Sequence, residues 1–361
     1  MKKKVCMVVY DFSEIGGVNA VITELMNELV EYYNISLLSI IDTKKKAYNL
    51  NENINYKTIL SHKTSLRKEA IHVRKPAKEY FKNEKFDVIM ILGQYPGFLL
   101  STLQPFIKSK MIYCDHGALM NQWDDKKVRF MNWISSTMCQ QTVTLTERNM
   151  NDYISKFKIS KGKITYIYNW IDLKKQKNDI YDINSKKIVS VGRFGKEKGF
   201  DQLVKVFALV SKKHPDWSLD ICGDGETMPI IKKMIDDYDL NEKVHLLGMR
   251  SDIIDLYKDY AMYVLPSYRE GLPLVLLEAK VNKLPIVCFD ILTGPKEIVR
   301  DGIDGILVPQ RNIEKMAEAI CYLIENSEVR QSMSDQSMGN IEDFSKESIL
   351  KKWIELIENM S

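Results

Sequence analysis

With 361 residues, 45% of them hydrophobic, and no apolar run near the roughly 18 residues needed to cross a bilayer, the chain reads as a soluble two-domain protein, too long for one ordinary core. Its net charge of +4 hides an asymmetry: residues 1–180 hold 28 Lys and Arg against 18 Asp and Glu, an excess of +10, whereas residues 181–361 hold 24 against 30, an excess of −6. The basic residues are not interleaved with a stacking set of aromatics, which argues against nucleic acid as a partner. The six cysteines are scattered without C-x-x-C pairing and read as reduced packing residues.

Short apolar runs alternate with helical patterns along the whole chain, the signature of βαβ units and parallel sheets. In the first half, strands are predicted at 5–10, 35–41, 87–92, 111–114, 142–145 and 164–167. In the second they are predicted at 188–191, 218–222, 244–247, 262–265, 286–289 and 306–308. Two sets of strands imply two doubly wound domains, 1–172 and 187–344, joined by a polar linker at 173–186. The last segment, 345–361, places Ile349, Trp353, Leu356 and Ile357 on one helical face, expected to pack back on a sheet of the first domain or across both domains. The beginning, MKKKVCMVVYDFSE, meets Asp11 and Glu14 too soon for a signal peptide, so the expected location is the cytoplasm. Basic clusters at Lys44–Lys46, Lys63–Lys82 and Lys156–Lys163 read either as a contact for an anionic surface or as ordinary solvated lysines.

After the first strand comes DFSEIGG, where Gly16 and Gly17 let backbone approach a ligand or simply make a tight turn. The strand at 111–114 runs into Asp115, His116 and Gly117; His116 then stands where open α/β sheets hold ligands, although a lone histidine is as often structural. The second domain opens with GRFGKEKGF, Gly192 to Phe200, in which Arg193 and Lys198 flank a glycine-bearing turn and can converge on one diphosphate. Composition does not separate Lys198 from Lys196. Gly223 and Asp224 of CGDG and Arg250 of VHLLGMR end the next two strands and offer either contacts to a nucleobase or plain turns.

The most demanding stretch is PSYREGLPLVLLEAK, Pro266 to Lys280. Gly271 permits unusual backbone angles, and Pro273 has the φ suited to a first helical turn. Glu270 therefore falls in the turn and Glu278 on the helix, about one and a half turns in. The free backbone N–H groups around Leu272 to Val275, including Leu274 but not Pro273, which has none, form an anion site between the carboxylates, fitting a phosphate flanked by hydroxyl-rich groups. A sugar nucleotide has that layout. LTGPKEIV follows, with Glu297 in the first turn of a short helix. No P-loop, G-x-S-x-G elbow or H-E-x-x-H is present, and Asp237-Tyr238-Asp239 reads as a solvated helix end, so no metal is called for.

Glu270 and Glu278 seven residues apart, GRFGKEKGF, CGDG, GPKEIV and DGIDGILVP together resemble the retaining glycosyltransferases of family 4, over the whole second domain. In the first domain the resemblance rests on Gly16-Gly17, His116-Gly117 and Asn169-Trp170-Ile171-Asp172. After Glu270 the chain reads Gly-Leu-Pro where many members have a small residue, Phe and Gly. The resemblance implies the GT-B fold, two Rossmann-like domains facing across a cleft. It assigns the donor diphosphate to Arg193 and Lys198, the donor sugar to Glu270, the ribose to Glu278, and the neighbourhood of sugar and acceptor to His116; Gly16-Gly17 would border the phosphates. It also implies a UDP-sugar donor, a glycan or lipid-linked acceptor, an α-linked product and no cofactor, of the kind that builds bacterial capsule, cell-wall or lipopolysaccharide glycans. A sugar phosphorylase or epimerase of the same fold, or a catalytically silent partner of an active transferase, are the alternatives.

Overall fold

The computed structural model describes residues 2–13, 16–42, 48–63, 66–173 and 181–360. The chain divides into two compact units, Met1–Asn169 with Glu347–Ser361, and Trp170–Lys346. Half of the predicted linker, residues 174–180, lies outside the described residues, as do Lys44–Lys46, Glu14 and Ile15.

In the first unit the chain runs through β1 (Lys4–Asp11), α1 (Gly17–Leu29), β2 (Asn34–Ile41), β3 (Asn55–Leu60), α2 (Leu66–Glu84), β4 (Val88–Leu92), α3 (Gln94–Ser101), β5 (Lys110–Asp115), α4 (Lys126–Met138), β6 (Gln141–Thr144), α5 (Glu147–Phe157) and β7 (Ile164–Tyr166). Its seven strands lie parallel in the order β3-β2-β1-β4-β5-β6-β7. The central strands are apolar on both faces because helices cover both; every residue of β4, VIMIL, is buried. β3 was not among the predicted strands. It lies at the sheet edge, and its residues NYKTIL are half-exposed and mostly polar, so no apolar run marks it.

The second unit contains β8 (Lys187–Val191), α6 (Phe200–Lys213), β9 (Ser218–Cys222), α7 (Met228–Asp237), β10 (Val244–Gly248), α8 (Ile253–Leu256), β11 (Met262–Leu265), α9 (Leu274–Val281), β12 (Ile286–Asp290), α10 (Pro295–Ile298), β13 (Gly305–Pro309), α11 (Ile313–Glu325) and α12 (Ser327–Gln336). Six parallel strands are ordered β10-β9-β8-β11-β12-β13. One ion pair is sealed inside this unit. Lys280 of α9 and Asp304 have side chains with 0% exposure; the ammonium donates to Asp304 Oδ2 at 2.7 Å and to the Ile298 carbonyl at 3.0 Å. Asp304 also accepts from the Arg300 amide at 2.9 Å and its Nε at 2.6 Å. Burial pulls the Lys280 pKa down while Asp304 opposes the fall.

The last helix, α13 (Lys346–Asn359), belongs to the first unit, where it buries Ile349, Trp353 and Ile357. Glu358 ties it down, meeting Lys3 Nζ at 2.9 Å and accepting from the Tyr33 hydroxyl at 2.8 Å. All six cysteines are free and buried, and burial pushes the Cys139 thiol up to about 12. Among the described residues no helix is long and apolar enough to cross a membrane.

Candidate functional site

The loops at the carboxyl ends of β8 and β11 are locked together by backbone. Gly199 has φ +67°, and a Cβ there would overlap the Pro266 carbonyl oxygen, so the turn after β8 sits directly on the start of the PSYREG loop. Gln202 Nε2 donates to the same carbonyl at 2.9 Å, and the Tyr268 amide donates to the Glu197 carbonyl at 2.8 Å. Gly223, at φ +138°, is packed likewise against the Gly192 carbonyl, joining the β9 turn to the β8 turn. These close approaches place the side chains.

Lys198 and Glu270 meet at the centre. Lys198 Nζ lies 2.8 and 2.9 Å from the two carboxylate oxygens of Glu270, whose side chain is 8% exposed against 23% for the lysine. An ammonium has three donors, so two are committed to Glu270 and a third remains for a ligand oxygen. Ser267 Oγ donates to Glu270 Oε1 at 2.7 Å, and Thr293 Oγ1 donates to the Glu270 carbonyl at 2.7 Å. Neither hydroxyl was singled out in the sequence, although both lie in quoted stretches; hydroxyls in loops are too common to be a signal by themselves. Lys196 is exposed, which separates it from Lys198.

Arg193 does not join this pair. Its Nη2 lies 3.0 Å from Glu197 Oε1 and its side chain is 76% exposed, which leaves most of the guanidinium fork turned to solvent. Although burial opposes it, the amide of Glu197 itself and Arg193 hold that carboxylate below its ordinary range. Arg250 is likewise engaged, forking onto Asp252 at 2.7 and 2.6 Å. Asp224 is exposed; its carboxylate accepts from the Gly225 amide at 2.7 Å and its carbonyl from the Phe194 amide at 2.9 Å.

The anion-binding turn takes a slightly different form from the predicted one. Pro273 is the cap before α9, with φ −75° and ψ 98°, and Leu274 is the first helical residue. The first amides of α9 have no partner within the helix and carry its partial positive charge. Leu272 is buried beside them, and Gly271 and Leu274 are half-buried. Glu278 is half-buried on the same helix, its fifth residue, which is the expected one and a half turns or so from the start. Burial raises the phenols of Tyr257 and Tyr263, and the Glu278 charge adds to both.

In the first unit the site-forming chemistry is mostly uncharged. Asp115 ends β5 almost fully buried; Oδ1 accepts from the Gly117 amide at 3.0 Å, and Oδ2 from Asn149 Nδ2 at 3.1 Å and the Tyr153 hydroxyl at 3.0 Å. Burial raises the Asp115 pKa against the pull of these donors. Asn149 also accepts from the Leu119 amide at 2.8 Å, so α5 fixes the loop that carries His116. His116 keeps a partly accessible edge, and its close surroundings press its pKa down to about 4, leaving a neutral imidazole at pH 7. Gly16 is the cap of α1 with an extended backbone, φ −174°. Among the described residues no atom lies within 4 Å of a Cβ built at Gly16 or Gly17, so the fold leaves that space open. The Tyr48 hydroxyl brackets Gly16, accepting from its amide at 2.7 Å and donating to its carbonyl at 2.8 Å. No group of three or more metal-ligating side chains occurs among the described residues.

Comparison with known proteins places the family and the fold. A model described as Glycosyltransferase Family 4 matches residues 15–175, and one described as Glycosyl transferases group 1 matches residues 172–338. An uncharacterized glycosyltransferase of Haemophilus influenzae is 31% identical over 353 residues, covering 97% of this chain and 99% of its own. An amylovoran biosynthesis glycosyltransferase of Erwinia amylovora is 28% identical, covering 98% and 99%. Among solved structures, the sucrose-phosphate synthase of Thermosynechococcus elongatus matches with a TM-score of 0.84 at 16% identity, over 99% of each chain. Anabaena HepE in complex with UDP matches at 0.80 and 16% identity, over 99% of this chain and 100% of that one. The chain therefore belongs to the glycosyltransferases with a family 4 domain followed by a group 1 domain, and its two parallel-sheet domains have the GT-B fold.

Proposed function

We propose that the protein transfers a sugar, with retention and without a metal, from a UDP-sugar of the UDP-Gal, UDP-Glc or UDP-HexNAc type to a glycan or lipid-linked acceptor. The product is an α-glycoside in a bacterial capsule, cell-wall or lipopolysaccharide-type glycan. The observation that carries this reading is the Lys198–Glu270 pair beside the start of α9 at the carboxyl edge of the second sheet. A cation with one donor to spare, a hydroxyl-binding carboxylate and a row of helix amides suit the diphosphate and sugar of such a donor. The exposed fork of Arg193 adds a second cation for the diphosphate, and Glu278 supplies acceptors for a ribose. The amylovoran relative supports a polysaccharide product, and the UDP held by Anabaena HepE supports the nucleotide.

In the proposed reaction the bond between the sugar anomeric carbon and the diphosphate oxygen breaks as the acceptor oxygen bonds to the same face of that carbon. The acceptor proton passes to the departing phosphate oxygen. Lys198, Arg193 and the α9 amides stabilise the charge that grows on the leaving group, which is the role a divalent cation would otherwise fill. Acceptor recognition falls to the carboxyl end of the first sheet, near Gly16 and His116. The enzyme works in the cytoplasm, and the basic first unit meets an anionic membrane surface where a lipid-linked acceptor is presented.

The test is a panel of UDP, GDP and ADP sugars incubated with the purified chain in EDTA, with and without glycan and polyprenyl-linked acceptors. The expected result is hydrolysis and transfer from UDP-sugars, with the α configuration read from the anomeric proton coupling. Phosphate-dependent cleavage, a C2-epimerised donor formed without acceptor, or failure to bind any nucleotide would each overturn the reading.

A further inference from the structure

Helix α4 is turned inside out. Its buried residues are Asn132, Ser135 and Ser136, whereas Phe130 and Trp133 are 51% and 42% exposed. Most inward polar groups have local partners: Asn132 Oδ1 accepts from the Tyr113 hydroxyl at 2.9 Å, and the Ser135 and Ser136 hydroxyls donate to the Met131 and Asn132 carbonyls at 2.7 and 2.8 Å, while Asn132 Nδ2 is buried without a partner among the described residues. A helix that faces only water carries the reverse pattern, with its polar residues outward. The exposed aromatics are also contiguous. The ring of Phe130 lies 5.9 Å from Trp133 and 6.1 Å from Phe98 of α3, centroid to centroid.

Beyond the exposed Asp124 and the cap Asp125, the charge that α4 itself carries is basic. Lys126 and Lys127 are exposed in the first turn of α4, and Arg129 follows with its guanidinium 4.9 Å from the Trp123 ring. From Lys126 through Thr146 the chain contains no acidic residue. A second copy would bring the same excess of +10 over residues 1–180 with it, so two copies would meet with like net charge. An anionic bilayer satisfies both features at once, since indole and phenyl rings settle at the boundary between headgroups and acyl chains while lysines reach lipid phosphates.

We propose that α4 seats the first unit on anionic membranes, with Phe130 and Trp133 entering the headgroup–acyl boundary and Lys126 and Lys127 contacting lipid phosphate. The proposal gives the membrane contact suggested above a specific helix. It does not depend on the donor chemistry, because vesicle binding is read without nucleotide, acceptor or turnover.

The test is flotation of the full chain with equimolar phosphatidylglycerol and phosphatidylcholine vesicles, beside pure phosphatidylcholine. The wild type is expected to float with the anionic vesicles only. Lys126→Glu with Lys127→Glu, and separately Phe130→Ser with Trp133→Ser, should each lower the bound fraction about 10-fold or more, with circular dichroism and thermal unfolding unchanged. Trp133→Phe keeps the apolar face and should float as the wild type does. It should lose the part of the tryptophan quenching caused by lipids brominated in their acyl chains. A wild type that stays at the bottom of the gradient overturns the proposal, as do variants that float equally well or quenching that survives Trp133→Phe. A concentration-dependent dimer abolished by Phe130→Ser with Trp133→Ser, with no vesicle binding, would assign the face to a second copy instead.

Discussion

Two lysine–carboxylate pairs in the same domain contrast in what surrounds them. Lys280 and Asp304 are sealed at 0% exposure, and every donor and acceptor around them belongs to the fold: Ile298, the Arg300 amide and the Arg300 side chain. Lys198 and Glu270 sit at the carboxyl edge of the sheet, with 23% of the lysine side chain open and one ammonium proton uncommitted. The same chemistry thus serves two ends. A closed pair fixes α9 to the stretch that leads into β13, and an open pair offers its remaining capacity to a ligand. Each ammonium makes two hydrogen bonds, so exposure separates the two roles; distance and bond count do not.

Mutations that break each pair should separate stability from activity. Lys280→Ala leaves the Asp304 charge buried with only Arg300 to answer it. Loss of about 3–5 kcal/mol of stability is expected, seen as a lower midpoint in urea unfolding of the whole chain. Lys198→Ala removes a charge-assisted bond that a departing diphosphate would need. Turnover at saturating donor is expected to fall by roughly 10- to 150-fold, the equivalent of ~1.5–3 kcal/mol, while the urea midpoint moves little because water can reach Glu270 through the vacated opening. Undiminished turnover in that variant would remove Lys198 from the chemistry. Gly199→Ala tests the backbone lock between the two loops. A side chain at φ +67° against the Pro266 carbonyl should cost about 1–3 kcal/mol and lower turnover as well, because it moves Lys198 relative to Glu270. Normal turnover in that variant would show that the lock does not position the pair.

Much of this was legible in the sequence for physical reasons. Twelve strands announced themselves as apolar runs, because buried parallel strands have two apolar faces; β3 did not, since an edge strand need not. The second unit's site was legible because its parts are glycines and charges at fixed short spacings in a few loops. Even so, the partner of each charge was not: Lys198 pairs with Glu270 and Arg193 with Glu197, and the first of these pairings depends on the close approach at Gly199. The first unit's site was nearly silent. Asp115, Asn149 and Tyr153 come from distant parts of the chain and meet through hydrogen bonds that leave no pattern. The inverted helix α4 was hidden for a related reason, since which of its faces is buried is decided by Tyr113 and the sheet, not by its own sequence.

The central claim, a uridine diphosphate held between Glu278 and Lys198 without a metal, is tested most directly by titration calorimetry of UDP into the chain in EDTA. The account predicts that the wild type binds and that Glu278→Ala binds about 10-fold more weakly, as expected for the loss of one bond to a charged group, with turnover at saturating donor little changed. Absence of binding by the wild type, or equal affinity in Glu278→Ala, would contradict it.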